Sequence, residues 1–480
     1  MLNLTDSTTA VAPDTAAAAF EPRIVAFVCK WCTYAGADLA GTSRMVYPPN
    51  VRTLMLPCTG RIDTSFVLRA FLQGADGVLV SGCHPGDCHY TAGNFRARRR
   101  WTLFRDLLDV IGFDLNRLEI AWVSAAEGAK WVKIITEFTE KIRNLGPYHD
   151  MRRVASDHVP PIAPPAGGHG TVVSRDRQGA EARARPQLHA DRHVAGGGNG
   201  RVRAPAQLTE AATEALRGGK VNVILGWVRN RTLGQARPTW IAQPEAAADL
   251  VAPGDAGNLA RLLKRPEVRA LLPAGIVARA AEVMALNVLA QEAQLDPAKV
   301  FLFVVAPDGR YLGLMDLAEA TERVVADNVK GLDDDRPAGF SDETLAALDE
   351  LMARLPRDRW QFWAAQFEKC IKCYACRGSC PLCDCETCFA DRNQPQWFPT
   401  GSDGPGNLGW HVIRAFHLAG RCVGCGACQE ACPAGIPLNL MGAALSRSAL
   451  RHFGHRAGVS SRGVPLQSDY RTEDGEAFIL

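Results

Sequence analysis

The placement of its 16 cysteines constrains this 480-residue chain more than any other feature. Five lie at or before Cys88, none between Cys88 and Cys370, and eleven within residues 370–432. The first residues combine neither a basic stretch nor an apolar run of secretory type, so a cytoplasmic, reducing setting is expected. Thiols gathered in such a setting bind metal or carry redox chemistry and do not pair as disulfides. Two thiol-rich regions thus flank a thiol-free middle.

In the C-terminal group, Cys370, Cys373, Cys376 and Cys380 precede Pro381 with the spacing C-x2-C-x2-C-x3-C-P, and Cys422, Cys425, Cys428 and Cys432 precede Pro433 with the same spacing. Three thiolates within seven residues wrap three irons of a cubane, and in two-cluster ferredoxins the fourth ligates the other cluster. The expected ligand sets are Cys370, Cys373, Cys376 and Cys432 for one [4Fe–4S], and Cys422, Cys425, Cys428 and Cys380 for the second. Structural zinc pairs C-x2-4-C knuckles and has no need of a third cysteine in each loop. Cys383, Cys385 and Cys388 are left over as tuning groups, alternative ligands, partners of Cys380 in a separate four-thiolate site, or bystanders.

Residues 24–146 alternate β-branched runs with amphipathic patterns. Strands are expected over 24–29, 53–57, 77–82 and 118–123, and helices over 35–44, 63–73, 94–111 and 127–145, which makes an α/β parallel sheet. On that sheet Cys29 and Cys32 follow the first strand, Cys58 the second, and Cys83 and Cys88 the third. All five converge at the carboxyl edge, where open parallel sheets build their sites. The competing reading is a thioredoxin-like dithiol at Cys29-Lys30-Trp31-Cys32. His84 and His89 are expected to hydrogen-bond around the site and not to ligate. Arg96, Arg98, Arg99 and Arg100 fall near a helix start, where the macrodipole disfavours cations; they read as a solvated face unless an anionic cluster or acidic partner lies nearby.

The length corresponds to about three domains, and their bounds follow from composition. A disordered leader is expected over 1–22, the thiol-bearing α/β domain over 23–148, and a disordered basic linker over 149–206. A second α/β domain is expected over 207–340, a mainly α-helical dicluster ferredoxin domain over 341–455, and a tail over 456–480. Residues 151–205 hold nine arginines against four acids and no aromatic residue, a composition that cannot bury a core. In the second α/β domain, strands are expected over 221–228 and 300–305 and a helix over 278–294. The net charge of +3 is too small for whole-molecule attraction to nucleic acid, so nucleic acid is not an expected partner unless through the basic linker. The longest apolar run, 221–228, is strand-sized, and no membrane span is expected.

The segments CKWCTYAGADLAG, PCTGRID and ADGVLVSGCHPGDCHYTAGN resemble the delta subunit of methyl-viologen-reducing [NiFe] hydrogenase over residues 23–146. The resemblance implies one [2Fe–2S] cluster on four of Cys29, Cys32, Cys58, Cys83 and Cys88. It also implies electron delivery from a hydrogenase or formate dehydrogenase to the flavin subunit of heterodisulfide reductase. The stretch RWQFWAAQFEKCIKCYACRGSCPLC through HLAGRCVGCGACQEACPAGIPL is similar to the dicluster ferredoxin domains of beta subunits of deazaflavin-coenzyme-reducing hydrogenases and formate dehydrogenases, and to the helical ferredoxin subunit of heterodisulfide reductase. The middle, with ARPTWIAQPEAAADLV and NLARLL, resembles the flavin-binding domain of those beta subunits. Where that family implies a Lys-Gly-Cys-Asp run, this chain has Arg279-Ala280-Ala281-Glu282, so the domain is read as a degenerate scaffold. The expected function is an electron-transfer subunit that is not catalytic alone. The alternative is an FAD-containing oxidoreductase acting on a soluble coenzyme or disulfide through the middle domain.

Overall fold

Four short apolar runs build the first sheet of the computed structural model, which describes residues 20–148, 150, 204–229, 236–251, 257–383, 385–393, 396 and 398–480. Most of the expected leader and of the basic linker lies outside the described residues. Strand β1 (Ile24–Cys29) is followed by α1 (Thr33–Thr42), β2 (Val51–Leu56), α2 (Thr64–Leu72), β3 (Gly77–Gly82), α3 (Gly93–Val110), β4 (Leu118–Trp122) and α4 (Gly128–Leu145). The sheet order is β2-β1-β3-β4, and every pairing is parallel. The chain crosses from β1 to one neighbour and from β2 to the other side, so the order reverses between β1 and β3. A doubly wound sheet opens its crevice at such a switch point.

β1, β3 and β4 are almost wholly buried and mostly apolar because helices cover both faces, Ser81 of β3 and Glu119 of β4 being the polar exceptions. β2, an edge strand, leaves most of its residues exposed. The expected strands 24–29 and 77–82 match β1 and β3 to the residue. The first helix begins two residues early, since Cys32 already serves as its N-cap position.

The middle region holds α5 (Ala206–Arg217), β5 (Val223–Arg229), β6 (Ala236–Ile241), β7 (Leu250–Val251), α6 (Pro266–Arg269), β8 (Ala274–Ala278), α7 (Ala280–Gln291), β9 (Val300–Val305), β10 (Tyr311–Met315), α8 (Leu317–Ala320) and α9 (Ala326–Val329). Its sheet runs β10-β9-β8-β5-β6, with β7 also on β5. β5, β8 and β9 are parallel; β6, β7 and β10 are antiparallel. The helix expected from residue 278 starts at Ala280 because Ala278 closes β8, a fully buried strand that periodicity alone merges with the helix after it.

From Ser341 onward the regular elements are helical except for short turns: α10 (Asp342–Met352), α11 (Pro356–Glu368), α12 (Ala375–Ser379), α13 (Gly404–His417), α14 (Ala427–Glu430) and α15 (Asn439–Phe453). Ser341 caps α10 by accepting from the Thr344 N–H at 3.3 Å. These helices do not form a core of their own. Trp101, Phe104 and Leu107 of α3 share one apolar cluster with Trp363, Leu408, Trp410 and Phe416, and the Trp363 indole donates to the Val110 carbonyl at 3.1 Å. The first domain and the helical region are therefore one packed body.

The arginines of α3 correct the reading of a solvated face. Arg96 is exposed, but Arg98 and Arg99 are each only 2% exposed. Arg99 binds Asp474 through Nε at 2.6 Å and Nη2 at 3.3 Å and reaches Asp469 at 3.2 Å; Arg98 binds Glu476 at 3.2 Å and the Arg471 carbonyl at 2.6 Å. The acidic partner is the C-terminal segment of the same chain. That segment ends against β4, with the Leu480 N–H donating to the Ile120 carbonyl and the Trp122 N–H to that of Leu480.

Candidate metal centres

Cys29 is the last residue of β1, Cys32 caps α1, Cys58 caps a short 3-10 turn after β2, Cys83 follows β3, and Cys88 lies in the loop before α3. All five are buried and form a cluster of their own. The sulfurs of Cys29, Cys32 and Cys83 lie within 4.8 Å of one another, and Cys58 and Cys88 are 3.8 Å apart. The switch point thus gathers five thiols from three loops. Hydrogen bonds from Cys32, Cys58 and Cys83 hold the Cys29 thiol far below its ordinary range, and the same contact pushes Cys32 up to about 12.

The supporting atoms fit this crowding. Gly93 opens α3 where an added Cβ would stand 2.3 Å from the Cys58 sulfur and 3.2 Å from that of Cys88, so only glycine leaves room. The Gly60 N–H donates to the Cys58 sulfur at 3.4 Å, and the Asn94 amide holds the Cys83 and His84 carbonyls at 3.2 and 2.6 Å. The two histidines have partners other than sulfur. His84 Nε2 meets Glu127 at 2.7 Å, and His89 stacks on Trp31 with centroids 3.9 Å apart. The loop carrying both histidines swings its rings outward while its cysteines point in. Glu127 is held down to about 2 by the Ser124 backbone N–H and by His84.

In the helical region the two repeated motifs adopt the same local backbone. Lys372 and Tyr374 have φ of 50° and 56°, and their counterparts Gly424 and Gly426 have 68° and 71°. This left-handed pair turns the three cysteines of each loop toward one side. Cys370, Cys373, Cys376 and Cys432 line one cavity together with Trp410 and His411. Cys422, Cys425 and Cys428 act electrostatically on one another and on Cys380. Burial pushes Cys376 up to about 11 and Cys422 up to about 12. Buried neutral thiols of this kind ionise when a metal takes them. Of the remaining cysteines, Cys383 hydrogen-bonds Cys380, Cys388 stands beside Arg377, and Cys385 is exposed.

Helix α13, between the motifs, supplies groups that sequence reasoning missed. Asn407 donates to the Phe367 and Cys370 carbonyls at 2.8 and 2.9 Å, and Arg414 to the Cys376 carbonyl at 3.0 Å. His411 is 2% exposed, neither ring nitrogen has a hydrogen-bond partner among the described residues, and burial holds it down to about 3, so it is neutral. Their signal was three polar residues on the buried stripe of an otherwise apolar helix. From the middle region, Lys264 Nζ clamps the Cys380 and Cys383 carbonyls at 2.7 and 2.6 Å. In the same region Arg279 and the fully buried Glu282 pair at 3.0 Å, and Glu282 also accepts the Leu259 N–H.

A doubly wound α/β domain with five buried thiols gathered at its switch point offers an all-sulfur donor set of the kind that suits a soft metal. Residues 24–146 match the family described as methyl-viologen-reducing hydrogenase, delta subunit. The chain is 50% identical over 128 residues to the vhc iron-sulfur subunit of the F420-non-reducing hydrogenase of Methanococcus voltae, covering 27% of this chain and 89% of that protein. It is 47% identical over 129 residues to the iron-sulfur subunit of the F420-non-reducing hydrogenase of Archaeoglobus profundus, 27% of this chain and 94% of the other. It is also 48% identical over 126 residues to one subunit of the ferredoxin:CoB-CoM heterodisulfide reductase of Methanosarcina mazei, 26% of this chain and 16% of that one. Through its N-terminal domain the chain belongs to the hydrogenase delta-subunit family.

Proposed function

We propose that this chain is an iron–sulfur electron-transfer subunit. It would relay electrons between a hydrogenase- or formate-dehydrogenase-like donor and a heterodisulfide-reductase-like flavoprotein. The observation that carries the reading is the gathering of five buried thiols at one switch point in a domain related to hydrogenase iron-sulfur subunits. Four of Cys29, Cys32, Cys58, Cys83 and Cys88 would hold a [2Fe–2S] cluster; the all-sulfur donor set and the clearance left by Gly93 suit one. Cys370, Cys373, Cys376 and Cys432 would hold one [4Fe–4S], and Cys422, Cys425, Cys428 and Cys380 the other. The exchange of fourth ligands is supported by Cys432 lining the first cavity and by Cys380 acting on Cys422 and Cys425.

Such clusters supply one-electron transfer. The protein's share is to bury the thiolates, donate N–H groups to sulfur and exclude water, which together set the potentials. Gly60 and Asn94 fix loop geometry through the contacts described above, and Lys372 does so by donating its N–H to the Cys370 sulfur at 3.4 Å. No helix among the described residues is long and apolar enough to cross a membrane.

Anaerobically purified protein is expected to contain about ten iron atoms per chain, with both cluster types in the reduced EPR spectrum. Recovery of about eight iron atoms without a [2Fe–2S] signal would remove the N-terminal assignment. Stoichiometric flavin absorbance would favour the oxidoreductase alternative, which otherwise has to accommodate the buried Arg279–Glu282 pair where the flavin-domain run is expected.

A further inference from the structure

Arg414 is a buried cation. It is 5% exposed, and among the described residues no acidic side chain forms an ion pair with it. Nη2 donates to the Cys376 carbonyl, while Nε is buried and has no acceptor among the described protein atoms. The charges that act on it are thiols: Cys428, Cys380, Cys376 and Cys383, in falling order. Burial pushes the Cys428 thiol up, and the Arg414 guanidinium acts against that rise.

A buried guanidinium left unpaired is strongly destabilising, so its retention calls for anions nearby. Among the described residues the candidates in reach are sulfurs, three of them from the two ligand sets and the weakest, Cys383, from neither. Cys428 and Cys380 belong to the second set and Cys376 to the first, so the side chain stands between them and closer in interaction to the second. Adding an electron to either site adds negative charge next to a fixed positive one, and the low dielectric of the interior strengthens that attraction.

We propose that Arg414 is a fixed cation shared by the two C-terminal cubane sites, raising the reduction potential of both and that of the Cys422, Cys425, Cys428 and Cys380 site more. Arg414 thereby makes the second site the place where an electron on this domain comes to rest. The inference rests on the ligand sets proposed above.

The test is an EPR-monitored redox titration of the anaerobic full-length chain, unsubstituted and as Arg414→Gln and Arg414→Lys. The glutamine variant is expected to lower the reduction equilibrium constant of the second site about tenfold, which is about 59 mV for one electron. The first site shifts less, the N-terminal site not at all, and the lysine variant stays near the unsubstituted protein. Unchanged potentials in an iron-replete glutamine variant would overturn the inference, as would an equal shift of the N-terminal site. Should the glutamine variant fail to hold iron, unsubstituted protein carrying 15N-arginine decides: pulsed EPR of the reduced second site should show a nitrogen coupling that Arg414→Lys lacks, and no coupling rejects the contact. Absence of any [4Fe–4S] signal from the unsubstituted chain instead sinks the ligand sets themselves, a separate outcome.

Discussion

At Gly93 a single hydrogen atom separates a thiol site from a clash. Gly93→Ala is expected to abolish the N-terminal [2Fe–2S] signal and to leave both C-terminal signals intact, as read by EPR and iron count. Gly41→Ala is the control, because no atom lies within 4 Å of the Cβ it would add; in the last turn of α1 it should stabilise by no more than about 0.5 kcal/mol. Glu127 sets a pH window. Its folded-state value of about 2, against an ordinary 4.5, means that its contribution to stability is complete above 4.5 and fades as pH falls toward 2. Glu127→Gln should flatten the urea midpoint over that window only; a difference that persists unchanged at pH 7 and pH 2 contradicts the assignment.

The cysteine loops repeat at the scale of the element. Gly426 is left-handed with no atom within 4 Å of an added Cβ, so Gly426→Ala should cost only the backbone preference, about 1–2 kcal/mol. Gly424 is equally left-handed, but its Cβ would stand 2.5 Å from the Gly339 backbone. Gly424→Ala should therefore cost more and deplete the second [4Fe–4S]; equal urea midpoints for the two variants would show that Gly339 yields freely. The first loop bears the same conformation without glycine, through Lys372 and Tyr374. There Lys372 Nζ donates to the Pro399 carbonyl at 2.6 Å, and Tyr374 packs edge-on to Trp410 with centroids 4.8 Å apart, contacts that offset the strain.

For the whole molecule, the C-terminal segment is a strap. Arg98 and Arg99 on α3 would each be a buried charge without it, and breaking such a pair costs about 3–5 kcal/mol. Arg99→Ala should lower the urea midpoint accordingly. Ending the chain after Ser468 should lower it further, since Asp469, Asp474 and Glu476 leave together and β4 loses Leu480. If the truncated chain unfolds at the same midpoint, the strap is only a surface contact.

Local chemistry made much of this legible beforehand. β1 and β3 could be bounded because β-branched runs end where cysteines and glycines begin, and the cysteine spacings point to cubane loops because three thiolates within one turn of chain match little else. Parallel pairing followed from strand and helix alternation, and with it the convergence of Cys29, Cys58 and Cys83 at one edge. Only the tertiary structure could pair Arg99 with Asp474, 375 residues away, or show that α13 turns His411 and Arg414 inward. Burial converts a charge from a solvated decoration into a determinant of stability and potential. A sequence lists charges in order, but which of them lose their water depends on contacts between segments far apart along the chain.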